Sequence, residues 1–374
     1  MAGIYIHIPF CKKLCHYCDF HKSLSLKNKG RMIKALVKEM ELENDFLESE
    51  QVETIYFGGG TPSVLDYEEI MIIFEGLYKY FKISKDAEIT FEANPDDLSK
   101  QYLKELVKTG INRLSIGLQS FSDQELSLLN RRHKSKTGIK AVHDSKDAGF
   151  KNISVDLIYG IPGMSMETWN NNLDITFQME INHISAYHLT IESNTVFSRH
   201  IKEGQMKIPE EDTGIEQFRV LIKKAGENKF LHYEISNFCP DGFFSKHNTN
   251  YWKQVKYLGL GPSAHSYNGD IRRWNVADNK VYMDSISKNK IPYEKEYLDN
   301  RKKYNEYILT SLRTMWGIDL KFLEENYSKE AMDYCTGLSK RFIDYGMIKK
   351  KKDNLILTDQ GKLIADNIIS ELMM

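Results

Sequence analysis

Three cysteines fall within eight residues, Cys11, Cys15 and Cys18, in the run CKKLCHYC. Thiolates at this Cx3Cx2C spacing can hold three irons of a cubane [4Fe-4S] cluster. The fourth iron then lacks a protein ligand and is open to a small molecule. Zinc is the competing reading, with His7, His16 or His21 as a fourth ligand. The cluster is preferred because three ligands leave one open position and because a glycine-rich loop, Gly58-Gly59-Gly60, follows. Triple glycine is often only a tight turn. Its functional use is close backbone approach to a ligand, with amides offered to a carboxylate or to the polar end of a cofactor. Taken singly, Glu92, Gln119 and Asp156 read as satisfied loop or cap residues, and Arg131-Arg132-His133 reads as a solvated helix end.

What gathers such groups is their place along the chain. Short β-rich runs at 4–8, 54–57, 88–92, 113–117, 152–158 and 183–187 alternate with amphipathic stretches at 31–47, 68–81, 99–109 and 165–178. Strand, helix, strand at this spacing predicts parallel βα units. Six units are too few for a closed eight-fold barrel, so the prediction is an α/β fold, a partial (β/α)6 TIM-like barrel. Parallel β/α folds place ligands beyond the carboxyl ends of their strands. The cysteines follow strand one and Gly58–Pro62 follows strand two. Glu92 and Asn94-Pro95 close strand three, Gln119 follows strand four, and Asp156 lies late in strand five. All are expected at one mouth.

Beyond residue 190 the pattern changes. Residues 210–228 read as a helix, 230–236 as a strand, and Cys239 to Trp274 as a loop-rich stretch. From Asp299 the chain is helical again. It ends in a helix, a hairpin turning near Asp353-Asn354, and a last helix capped by Thr358, a winged-helix-like domain. The expected division is a barrel over 1–235, a connecting region over 236–298 and the C-terminal domain over 299–374. The four lysines at 349–352 could mark a DNA-binding wing. A solvated hairpin tip is preferred, and no nucleic-acid partner is expected.

The chain has 374 residues, enough for about two domains. Hydrophobic residues make up 41% and charged residues 28%, ordinary for a globular protein. A formal net charge of -1 gives no general electrostatic case for nucleic acid or anionic membrane. No apolar run is long enough to span a bilayer, and the N-terminus does not read as a signal peptide. Five cysteines, three of them clustered, argue against a disulfide scaffold and for a reducing cytoplasm.

Several segments carry a family resemblance: HIPFCKKLCHYCDF at 7–20, GGGTP at 58–62, EANP at 92–95, GLQSF at 117–121 and DLIYGIPG at 156–163. With them the chain resembles the radical S-adenosylmethionine proteins, and within them the coproporphyrinogen-oxidase-like branch. HISAYHLTIESNT at 183–195, HNTNYW at 247–252 and GLGPSAHSY at 259–267 carry the likeness nearly end to end. The resemblance implies that Cys11, Cys15 and Cys18 ligate a [4Fe-4S] cluster whose open iron takes the amino and carboxylate groups of S-adenosylmethionine. It implies that Gly59, Gly60 and Thr61 contact the methionyl part. Tyr5, Tyr17, Glu92, Gln119, Arg131 and Asp156 match positions lining the cofactor site. In the enzymatic members an electron from the reduced cluster splits the sulfonium and yields a 5′-deoxyadenosyl radical.

One departure is informative. The true oxidase has a further cysteine two residues after the third cluster ligand, where this chain has Phe20. That disfavours porphyrinogen decarboxylation and fits the heme-chaperone members, which carry an HNxxYW motif associated with heme. His247 could ligate heme iron, with Tyr251 and Trp252 packed against the porphyrin. The alternative is a hydrogen-bonded loop histidine beside interface aromatics. His265 is a second candidate ligand. The resemblance therefore implies a cytoplasmic heme carrier, transiently at the membrane surface, serving acceptor hemoproteins of the respiratory, membrane-bound kind, and it is compatible with a homodimer. The rival is an enzyme, oxygen-independent coproporphyrinogen III oxidase. A radical enzyme acting on another substrate is the third option.

Overall fold

The structure is a computed structural model and describes residues 1–207 and 211–374. Six strands lie side by side in chain order and all parallel: β1 (Ala2–Ile8), β2 (Val52–Gly59), β3 (Ile83–Ala93), β4 (Arg113–Gln119), β5 (Asn152–Tyr159) and β6 (His183–His188). Every residue of β4 is buried, as expected for a parallel strand covered on both faces. Outside the sheet, helices Lys29–Leu42 and Tyr67–Tyr80 bury Leu36, Met40, Phe74 and Leu77 in the main core. Their boundaries follow local chemistry. Asp66 and Glu69 form a reciprocal capping box, and Ser99, Ser122, Ser165 and Thr195 each cap a following helix. All six predicted strands are present. The first helix ends at Leu42, five residues short of the prediction, although Leu47 beyond it is still buried. An apolar position in a following turn extends the helical pattern past the helix.

The sheet stays open and grows at both edges. On one side β6 pairs antiparallel with β8 (Asn237–Cys239), which pairs with β7 (Leu231–Glu234). On the other, β9 (Tyr257–Leu260) runs parallel to β1. It is followed by the antiparallel meander β10 (His265–Tyr267), β11 (Ile271–Asn275) and β12 (Tyr293–Tyr297). The stretch from Cys239 to Trp274 is therefore ordered, with a helix at Lys246–Trp252 besides these strands. Buried Glu39 ties it to the first helix, accepting from Gly261 N (2.7 Å), Asn275 Nδ2 (2.6 Å) and the Tyr282 hydroxyl (2.5 Å). The helix read over 210–228 spans Glu211–Glu227, and residue 210 lies outside the described residues.

The C-terminal part has a core of its own, built on Tyr304, Ile308, Leu312, Leu323, Cys335, Leu355 and Ile368. Helices Asn300–Leu312, Leu320–Asn326 and Lys329–Asp344 pack with a small sheet of β13 (Ile318–Asp319), β14 (Ile348–Lys351) and β15 (Asn354–Leu357). This is the predicted winged-helix-like arrangement, with Thr358 capping the next helix through Gly361 N. The lysines at 349–351 are exposed along the hairpin.

Candidate functional site

The carboxyl ends of β1 to β6 open into a cavity of about 610 Å³. Cys11, Cys15 and Cys18 line it together with Tyr17 from the same loop. Gly59, Gly60 and Thr61 enter from the end of β2, Glu92 from β3, Gln119 and Arg131 from β4 and the turn beyond it, and Asp156 from β5. The nine expected cofactor residues and the three cysteines are scattered over 152 positions of sequence; all but Tyr5 meet in this one space. Tyr5 points from β1 into a neighbouring cavity and stacks on Tyr56 at 6.1 Å.

The thiols are surrounded by donors. The Thr61 hydroxyl donates to Cys11 Sγ at 3.3 Å and Arg131 Nη1 to Cys15 Sγ at 3.4 Å. Burial raises the pKa of Cys11, opposed by the Thr61 hydrogen bond, and burial also raises that of Cys18. Metal binding would have to displace those protons. Arg131 is not the solvated helix end read from its spacing. It is half-buried, and its Nη2 donates to Asn94 Oδ1 (2.5 Å) and Gly117 O (2.7 Å), while its Nε has no partner among the described residues. Only Arg132 of that triplet faces outward, paired with Asp96. His133 is buried and bonded to Leu118 O.

The glycine loop is tight for a physical reason. A Cβ on Gly60 would lie 2.8 Å from Ile8 O, Phe10 N and Phe10 O, all backbone. Gly59 has φ +104° and a Cβ there would meet the His7 ring at 2.6 Å. The loop thus lies directly against the backbone that leads into Cys11. Gln119 holds φ +68°, a left-handed conformation uncommon for a residue with a side chain.

The floor is acidic. Glu92 is half-buried and accepts from the Tyr56 hydroxyl at 2.8 Å; loss of solvent around it lifts its pKa to about 7. Asp156 accepts from Ser115 Oγ at 3.1 Å, and burial raises its pKa as well. Sequence reasoning missed Arg113, which opens β4 yet is 1% exposed and lines the same cavity. A strand's first residue normally looks solvated, and only the even burial of β4 could have flagged it.

These residues fit a cluster bound by three thiolates, with donors for its sulfurs and a backbone cradle beside it. The histidines proposed for zinc are committed elsewhere. His7 bonds Tyr5 and the His21 carbonyl, His16 bonds Leu128 O, and His21 bonds Asn279.

The residues expected at heme divide between two environments. His247 is 2% exposed, with Nδ1 bonded to Thr54 Oγ1 and Nε2 to the Tyr251 hydroxyl, both at 2.9 Å. Burial lowers its pKa to about 3. Tyr251, Trp252 and His265 instead line a second cavity of about 460 Å³. Phe20, 72% exposed, stands on the wall of both cavities.

Comparison with known proteins agrees with this architecture. Residues 5–174 match the radical SAM superfamily and residues 298–364 match the HemN C-terminal domain. The chain superposes on coproporphyrinogen III oxidase (HemN) from Escherichia coli, a radical SAM enzyme, with a TM-score of 0.86 and 21% identity, over 100% of this chain and 90% of that one. Fold and site define a radical SAM protein with the HemN architecture. Among curated relatives, heme chaperone HemW from Bacillus subtilis is 33% identical over 100% of this chain and 99% of its own, and heme chaperone HemW from Lactococcus lactis is 31% identical over 99% and 97%. The chain belongs to the HemW family.

Proposed function

We propose that the protein is a heme carrier built on a radical SAM scaffold. Cys11, Cys15 and Cys18 would hold a [4Fe-4S] cluster, and the cradle at Gly59, Gly60 and Thr61 would receive the methionyl part of S-adenosylmethionine. Tyr17, Glu92, Gln119, Arg131 and Asp156 would complete that site, with Tyr5 behind it. When bound, the cluster supplies a one-electron donor with one iron open to ligand. The protein's own part is to neutralise and exclude water: Arg131 lies beside Cys15, and the half-buried carboxyls stand ready for cationic or hydroxyl groups.

The observation that carries the heme reading is the second cavity, an aromatic-walled space next to the cysteine loop. It supports binding of a flat apolar macrocycle. The relatives' name, heme chaperone, points the same way. Delivery would be to acceptor hemoproteins, respiratory ones at the membrane surface, from the cytoplasm. No helix among the described residues is long and apolar enough to cross a membrane. Anaerobic hemin titration of the reconstituted protein tests the reading: saturable one-to-one binding supports it, and its absence rejects it.

The fold shared with HemN favours the enzymatic reading enough to test it. Phe20, where the oxidase has a cysteine, opposes it. Turnover of coproporphyrinogen III with reductant and S-adenosylmethionine would reverse the ranking.

A further inference from the structure

Three imidazoles reach the second cavity. His7 has both ring nitrogens engaged, by the Tyr5 hydroxyl at 3.2 Å and the His21 carbonyl at 3.0 Å. His21 Nε2 is bonded to Asn279 Oδ1 at 2.8 Å. His265 differs. Its ring stacks on Trp274 at 6.0 Å, and neither nitrogen is bonded to a described residue. Partial burial, then the charge of Arg272, lowers its pKa, which favours the neutral ring, the form that binds a metal.

The rest of the cavity suits a porphyrin. Tyr251 and Tyr257 meet edge to face at 4.6 Å, and Tyr267 adjoins Tyr257 at 6.1 Å. Trp252 carries a buried indole N–H without an acceptor. An orphaned buried donor is uncommon and calls for a partner. Arg272 is bonded to Glu306 at 2.7 Å, and a guanidinium has further N–H donors to offer. The site thus combines aromatic walls, one free imidazole and donors suited to a carboxylate. His247, by contrast, is outside this lining and would have to break its bond to Thr54 or Tyr251 to reach iron.

Resting on the heme-carrier reading above, we propose that heme sits in this second cavity with His265 as its axial ligand, and that His247 is a positioning residue that anchors Tyr251 in the wall. The cavity shares Phe20 with the cysteine site, so the macrocycle would lie against the cluster loop.

The test titrates the full chain, with its cluster reconstituted, using two probes: hemin followed in the Soret region, and iron-free protoporphyrin IX followed by fluorescence. His265→Ala is expected to weaken hemin by about tenfold or more and to remove the histidine-ligated Soret band, with protoporphyrin IX binding kept. Thr310→Trp, which fills the cavity from the helix Asn300–Leu312, is expected to lose both probes. His247→Gln keeps partners for Thr54 and Tyr251 and is expected to retain the ligation band. A His265→Ala protein with the wild-type hemin spectrum and affinity overturns the assignment while leaving the carrier reading standing. So does loss of the band in His247→Gln with retention in His265→Ala. Failure of the wild-type protein to bind hemin overturns both.

Discussion

Alanine at Gly60 is the sharpest perturbation of the cysteine site. In an ordinary position Gly→Ala stabilises by about 0.4–1 kcal/mol, because it removes freedom from the unfolded chain. At Gly60 the new methyl would lie 2.8 Å from three backbone atoms at once. A relaxed carbon contact begins near ~3.5 Å, so the deficit is more than half an ångström, and no flexible side chain can yield. Overpacking of this kind costs about 1–3 kcal/mol, which outweighs the entropic gain. The relief must come from Ile8–Phe10, and Cys11 is the next residue. Gly60→Ala is therefore expected to lower apo-protein stability by about 1–2 kcal/mol and to reduce iron and sulfide recovered after anaerobic reconstitution. Gly30→Ala is the control. It lies in the helix Lys29–Leu42 with open space around it and no positive φ, so it should gain up to about 1 kcal/mol. Urea midpoints and iron analysis read both effects. A Gly60→Ala protein as stable as wild type, with full iron content, would refute the argument.

Single alanine replacements of Cys11, Cys15 or Cys18 should each abolish stable iron loading, whereas Cys335→Ala, in the C-terminal core, should leave iron per chain unchanged; iron and sulfide analysis decides. Burial lifts the Glu39 pKa from 4.5 to about 7. The native state then holds a proton that the unfolded chain releases, and stability present below pH 4.5 is lost as pH rises through 7, on the order of 3 kcal/mol for this group. Glu39→Gln should flatten that decline in urea midpoints between pH 5 and 8, but only in part, because Glu92 and Glu234 titrate in the same range. Tyr233→Phe removes the hydroxyl bonded at 2.7 Å to buried His183 Nε2 and should cost about 1–3 kcal/mol by urea denaturation, since the imidazole is left unsatisfied. No loss would mean that the ring finds another partner.

The parallel strands were legible because each is a short apolar run beside a capped, amphipathic helix, and position after a strand was enough to bring the cysteines, Gly59, Glu92, Gln119 and Asp156 to one mouth. Three things were not. The helix Lys246–Trp252 is seven residues long and carries Asn248, Thr249 and Asn250, weak helix formers, so its formation depends on the Ser245 cap and on contacts distant in sequence. β9 to β11 are three to five residues each, broken by Gly261 and Gly269, and pairing of β9 with β1 and of each with the next, rather than local pattern, defines them. Arg131 looked solvated because burial of a guanidinium depends on acceptors, Asn94 and Gly117, that only the fold supplies. The placement of His247 beneath Tyr251, not open to a ligand, has the same origin: Thr54, its other partner, is almost two hundred residues away.

The pairing of β1 with β9 has a consequence for biosynthesis. Gly3 to Ile6 bond on one side to β2 and on the other to Tyr257 through Leu260. The first flank can be covered early, but the second waits for about 250 more residues. At ~5–20 residues per second that is tens of seconds on the ribosome. Throughout that interval an apolar strand, AGIYIHI, presents an open edge. The edge of β1, the strand that leads into the cysteine loop, therefore stays without its second neighbour until translation is nearly complete.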